Sequence, residues 1–216
     1  MATIKSISQF LTENGLFVFG QHLAEVPLRE LRNRMLAAKF SVQRIHVDSG
    51  ALLRGLCAIR MGENFAAGPG LWLEAVLRHH GETFTPQIIL GNNVSISAWG
   101  HIAATHYVEI GDDVLMGSKV IITDHNHGQY SGPHTSPTIP PNFRPLSFDK
   151  EVVIGRNVWL GDGVVVTPGS RIGEGAIIGA NSVVVGTIPP FTITAGVPAR
   201  PLKQYNFTIE EWVDIR

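Results

Sequence analysis

The feature that most constrains this chain is a six-residue rhythm. From position 154 an aliphatic residue recurs at every sixth place, at Ile154, Leu160, Val166, Ile172, Ile178 and Val184. Glycine commonly follows at once, as at Gly155, Gly161, Gly173 and Gly179. The same spacing runs through Leu90, Ile96 and Ile102, slips by two residues, and resumes at Ile110, Met116 and Ile122. Val47, Leu53 and Ile59 mark an earlier start. Repetition of this kind is the mark of a solenoid, in which each unit buries its apolar side only against its neighbours.

A second pattern opens the blocks: I-R-M-G-E-N-F from 59, I-I-L-G-N-N-V from 88, V-E-I-G-D-D-V from 108 and V-V-I-G-R-N-V from 152. Glycine tolerates a tight corner, and Asn or Asp tolerates a left-handed backbone there, so the chain can turn every sixth residue. Three short strands then close one triangular coil, and successive coils stack about 4.8 Å apart. The fold class expected is all-β, a parallel β-helix. A β-sandwich fits less well, because its turn signals come roughly every 8 to 12 residues and its strands alternate with period two. Spacing does not fix the hand of the coil, and the general rule for parallel crossovers is right-handed.

Three segments break the rhythm. Residues 1–44 carry helical spacing, with Leu28, Leu31 and Met35 after Pro27, and read as a helical cap on the β-helix of residues 45–203. Residues 128–150 hold Pro133, Pro137, Pro140, Pro141 and Pro145 and read as a protruding loop, of the kind that often carries function. In residues 204–216, Thr208 and Glu211 match a capping box and predict a short C-terminal helix containing Trp212.

Composition narrows the function. With 17 Lys and Arg against 18 Asp and Glu, no broad basic surface is available for nucleic acid. A single cysteine, Cys57, rules out a disulfide framework, fits a reducing compartment and reads as core filling rather than a nucleophile. The longest early apolar run, Leu16 to Phe19, is too short for a secretion signal, and no stretch reaches the roughly 20 apolar residues of a membrane span. The expected location is cytoplasmic, with peripheral membrane contact left open.

Chemistry gathers where the loop begins, in I-I-T-D-H-N-H-G, residues 121–128. Two histidines stand there, His125 and His127. An imidazole with an ordinary pKa near 6.5 is largely neutral at neutral pH and can take a proton from a hydroxyl. The competing reading is a pair of exposed loop histidines. His101 and His106 raise another chemistry, since their spacing resembles the zinc ligands of γ-type carbonic anhydrases, with His79 or His80 as a third ligand.

From Met61 to Lys203 the chain resembles the hexapeptide-repeat acetyltransferases, and among them the O-acetyltransferases of capsule and lipopolysaccharide synthesis. The residues that carry this are L-W-L-E-A-V at 71–76, V-L-M-G-S-K-V-I-I-T-D-H-N-H-G at 114–128 and I-I-G-A-N-S-V-V-V at 177–185. The resemblance implies a left-handed β-helix, a homotrimer with active sites between subunits, acetyl-CoA as co-substrate, a sugar or glycan acceptor and no metal. It places the general base on His125, with His127 as the second candidate and Asp124 as the group that orients the imidazole. It places acetyl-CoA beside the late coils at Trp159, Gly161, Asp162, Gly179, Ala180, Val185 and Gly186. Arg200 and Lys203, in G-V-P-A-R-P-L-K, meet the nucleotide phosphates. Trp99 and His101 fall where acceptor contacts lie. One departure stands out: Gly186 and Thr187 precede Ile188 where many relatives have Lys-Asp, which removes one cofactor contact. Trp159 could equally pack between subunits, and Gly179 and Ala180 could serve coil stacking. A non-catalytic assembly module is a further alternative, one with no need of the D-H-N-H loop.

Overall fold

Every repeat position turns inward. Ile154, Leu160, Val166, Ile172, Ile178 and Val184 are all buried, as are Leu90, Ile96, Ile102, Ile110, Met116 and Ile122, whereas Leu53 is only partly covered. The computed structural model describes residues 4–130, 134–147 and 150–215; parts of the expected cap, loop and terminal helix, at 1–3, 131–133, 148–149 and 216, lie outside the described residues. The short strands form three parallel faces of a prism. The first begins with Ile45–Val47 and Phe65–Ala67 and continues through Ser95–Ile96, Leu115–Met116, Trp159–Leu160 and Ile177–Ile178. The second runs through Leu52–Arg54, Trp72–Ala75, His101–Ala104, Ile121–Thr123, Val165–Val166 and Val183–Val184. The third runs from Ile59–Met61 through Gln87–Leu90, Tyr107–Ile110, Glu151–Ile154 and Arg171–Ile172 to Thr187–Ile188.

The corners divide the labour between two residues. Asn93, Asp113 and Asn157 take the left-handed conformation, with φ of 56°, 59° and 56°. The glycines two places earlier do not; they are required because the next coil passes too close for a side chain. A Cβ on Gly111 would stand 2.8 Å from the Arg156 nitrogen, and one on Gly155 would stand 2.7 Å from that of Glu174. Side chains tie one corner to the next, as Asn64 Nδ2 donates to Asn93 Oδ1 at 2.9 Å and Asn93 Nδ2 to Asp113 Oδ1 at 2.8 Å.

The N-terminal helix, Ile4–Phe40, sits against the open edge strand Ile45–Val47. It seals that edge with polar groups: buried Asn33 accepts the Val47 N–H at 3.2 Å, and Arg32 donates to the carbonyls of Val47 and Asp48. Leu36 joins the core, whereas Leu28, Leu31 and Met35 face solvent. The hairpin Arg78–His79 and Glu82–Thr83 leaves the second face through a turn with positive φ at His80 and Gly81.

Two expectations are corrected. The C-terminal segment is not a helix. Strand Ala199–Asn206 turns back antiparallel on Thr192–Gly196 and pairs with Glu211–Asp214. Asn206 Oδ1 accepts the Thr208 N–H at 2.9 Å, so an Asx-type turn takes the place of the Thr208 cap. Cys57 is not core filling either: it is exposed in the short turn Leu56–Ala58, whose flanking residues Leu56 and Ala58 pack inward instead.

Because Leu160 is fully buried at the middle of the stack, Leu160→Ala is expected to cost about 2–5 kcal/mol of stability, read as a lowered urea midpoint. Gly111→Ala, which forces two coils apart, is expected to lower the midpoint as well, by about 1–3 kcal/mol.

Candidate active site

Strand Ile121–Thr123 of the second face ends where the chain leaves the coil, and the next residue carries the site. Asp124 is fully buried. Its Oδ2 accepts the N–H groups of His106 and Tyr107, both at 2.8 Å, and its Oδ1 accepts that of Thr105 at 2.9 Å. The same Oδ1 lies 2.8 Å from His125 Nδ1. An ionised carboxylate only accepts, so Nδ1 is the protonated nitrogen and Nε2 keeps its lone pair. Thr123 Oγ1, 3.2 Å from Nδ1, adds a second hold on the ring.

His125 lines a cleft of about 520 Å³. One side of it is the outward column of the second face, where Trp72, His101 and Ile121 are successive partners in register. Trp72 stacks on His101 with centroids 4.4 Å apart, and its Nε1 donates to Glu74 Oε2 at 2.8 Å. Burial holds the His101 imidazole below its usual pKa, with Glu74 pulling the other way and His125 adding to the fall. The hairpin supplies Arg78 and His79, and the returning loop supplies Leu146. Burial also lowers His79, helped by His80 and His127. The loop is fastened at its neck, where Ser147 Oγ accepts the Asn126 N–H at 2.8 Å and the Ser147 carbonyl accepts from Thr105 Oγ1 at 3.1 Å.

His127 also borders the cleft, but it is exposed and its ring faces His79 edge-on at 5.5 Å rather than a carboxylate. The two histidines of the zinc reading separate: His101 stacks in this cleft, whereas His106 lines a different one with Gly81, Glu82 and Thr105. Among the described residues no three His, Cys, Asp or Glu side chains converge as metal ligands. Trp99 stands apart from His101, at a corner with φ of 61°, where its ring covers Gly70.

The late-coil positions group only in part. Gly161 and Ala180 stack at one corner, where a Cβ on Gly161 would meet the Ala180 nitrogen at 2.7 Å, and Gly179 and Asp162 sit beside them. Asp162 Oδ1 accepts the Ser118 N–H at 2.5 Å. Val185, exposed, and Gly186, with φ of 80°, form the following corner. Trp159 projects from the first face between Leu115 and Ile177. Arg200 and Lys203 lie on the antiparallel strand beyond, Arg200 donating to its neighbour's carbonyl and Lys203 pairing with Asp214 at 3.3 Å.

Sequence reasoning missed Trp72, Arg54, Glu74 and Arg78 as cleft residues and named His79 only as a zinc ligand. Trp72 had a signal: it stands one place before the repeat position, as His101 does, so alignment of the coils puts the two side by side. Arg78 had none, since it belongs to an excursion from the repeat.

The family model "Bacterial transferase hexapeptide (six repeats)" matches residues 151–186. The chain is 48% identical over 157 residues, 72% of its length, to a putative lipopolysaccharide biosynthesis O-acetyl transferase, WbbJ, of Escherichia coli K12, of which it covers 76%. It is 32% identical over 182 residues to the galactoside O-acetyltransferase of the same organism, covering 84% of this chain and 81% of that one. Among solved structures it is similar to a galactoside acetyltransferase in complex with coenzyme A, with a TM-score of 0.55 at 26% identity, covering 83% and 82% of the two chains. Identity of that order across three quarters of a relative, on the same coiled scaffold, means that the chain belongs to the hexapeptide-repeat acetyltransferases and that its solenoid is their left-handed parallel β-helix.

Proposed function

We propose that the protein transfers an acetyl group from acetyl-CoA to a hydroxyl of a sugar or glycan precursor, with His125 as general base. The observation that carries this is the buried Asp124 carboxylate on His125 Nδ1, which fixes the tautomer and leaves Nε2 as the base on the cleft wall. Nε2 takes the proton of the acceptor hydroxyl, the oxygen bonds to the thioester carbonyl carbon, the carbon–sulfur bond breaks, and the proton passes to the departing thiolate. No acyl-enzyme is needed. The names of the relatives, one in lipopolysaccharide biosynthesis and one acting on galactosides, support a carbohydrate hydroxyl as acceptor.

The donor belongs along the late coils. Trp159, Gly161, Asp162, Gly179, Ala180, Val185 and Gly186 border its path in this reading, with Arg200 and Lys203 at its phosphates, Lys203 releasing Asp214 to do so. A homotrimer is the proposed assembly, with sites completed between neighbours. Its support is the row of exposed apolar residues on two faces, Leu115 and Trp159 on the first and Leu52, Trp72 and Ile121 on the second. The cytoplasm is the proposed location, in keeping with a single thiol. No helix among the described residues is long and apolar enough to cross a membrane.

His125→Ala is expected to lower turnover about 10²- to 10⁴-fold with acetyl-CoA affinity retained, the range for a lost general base. His127→Ala, in the same assay with labelled acetyl-CoA and a panel of sugar acceptors, is expected to stay near the parent rate; the reverse ranking would move the base to His127. Transfer to amines alone would overturn the O-acetyl reading. Sedimentation equilibrium is expected to give three times the chain mass.

A further inference from the structure

The cleft is lopsided along the solenoid axis. His125 follows strand Ile121–Thr123, and the cleft extends from there past His101 and Trp72 to Arg54, toward the early coils. The late coils, where the donor belongs in the proposed function, continue the same face on the other side of His125. The early half is therefore the acceptor's.

That half is cationic. Arg54 is exposed and forms an ion pair with Glu74 at 3.7 Å, a separation too long for a hydrogen bond. Glu74 already accepts from Trp72 Nε1, and no other carboxylate lines the cleft. Arg78, on the hairpin wall, forms no ion pair or side-chain hydrogen bond among the described residues. Two guanidiniums facing one space lined by a single carboxylate leave an excess of positive charge, a site for a multiply charged oxyanion, which their planar forks bind in pairs of hydrogen bonds. Arg54 lies three coil spacings from the His125 strand, about 14 Å. That span exceeds one sugar ring and holds a ring followed by phosphoryl groups.

We propose that the early end of the cleft is a subsite for a glycosyl diphosphate, with Arg54 and Arg78 on the diphosphate and the sugar lying along Trp72 and His101 toward His125. The inference rests on the acetyltransferase reading and narrows it: the acceptor is an activated sugar, borne by a nucleoside or by a lipid.

The test is calorimetry on the full-length protein with coenzyme A saturating, so that phosphate-binding groups of the donor site are filled. Inorganic pyrophosphate, UDP-glucose and a short prenyl diphosphate in detergent are titrated in turn, with glucose as the neutral counterpart. Pyrophosphate is expected to bind once per chain, and Arg54→Ala and Arg78→Ala each to weaken it roughly 10- to 100-fold, with partial recovery in Arg54→Lys. A tighter UDP-glucose or prenyl arm identifies the carrier. Acetyl-CoA affinity, measured on each variant, shows that it is folded. Acetyl-CoA binding without pyrophosphate binding, or pyrophosphate binding indifferent to both arginines, overturns the subsite and leaves the acetyltransferase reading in place. Failure to bind acetyl-CoA at all overturns both.

Discussion

Each coil of this protein hangs on the one before it by backbone hydrogen bonds, as where Gly111 donates to the Ile154 carbonyl and Gly161 to that of Ile178, both at 2.8 Å. Such bonds demand that main chains meet at every corner, which leaves no room for a side chain at Gly111, Gly155 or Gly161. They also hold register without slippage, so positions of equal phase stand in columns. Inward columns become the apolar core. Outward columns become binding surface, and the row Trp72, His101 and Ile121 beside His125 is one of them.

Corner carboxylates extend this scheme into the site. Asp112 and Asp162 each use Oδ1 to accept an N–H from a coil below, from Asn92 at 2.6 Å and from Ser118 at 2.5 Å. Asp124 does the same for Thr105, His106 and Tyr107, at the place where the chain departs into its long loop. A buried carboxylate needs several donors to offset its lost hydration. Three amides of the neighbouring coil supply most of them, and the imidazole supplies one more. The residue that closes the coil is thus the one that sets the histidine tautomer.

Much of this was written in the spacing. Period six gave the inward aliphatics and the stacking, because each coil strand turns one side to the core and the pattern recurs in long unbroken blocks. The break in the repeat drew attention to His125 and His127, and it was the resemblance of T-D-H to the family's motif that singled out His125 and put Asp124 beside it, where the two are hydrogen-bonded. The failures fall where no period operates. Cys57 was read by its apolar character, yet its turn directs Leu56 and Ala58 inward instead. Thr208 and Glu211 mimic a helix cap, but pairing of Lys203–Asn206 with Glu211–Asp214 decides the segment, and strand pairing is a tertiary matter. Trp99 shares the outward side with His101 in the sequence pattern, but a corner turns it onto Gly70.

The two ends of the first face are finished by different means, Asn33 and Arg32 at one and a reversed hairpin with Glu211 and Asp214 on its outer strand at the other. A parallel coil left open at either end would offer its edge to another copy and elongate without limit. On the first face the early edge is met by side chains, and the late edge ends in an antiparallel strand carrying Glu211 and Asp214 rather than in an open parallel coil. The first face therefore presents no open parallel edge on which a further coil of the same kind could simply continue the stack.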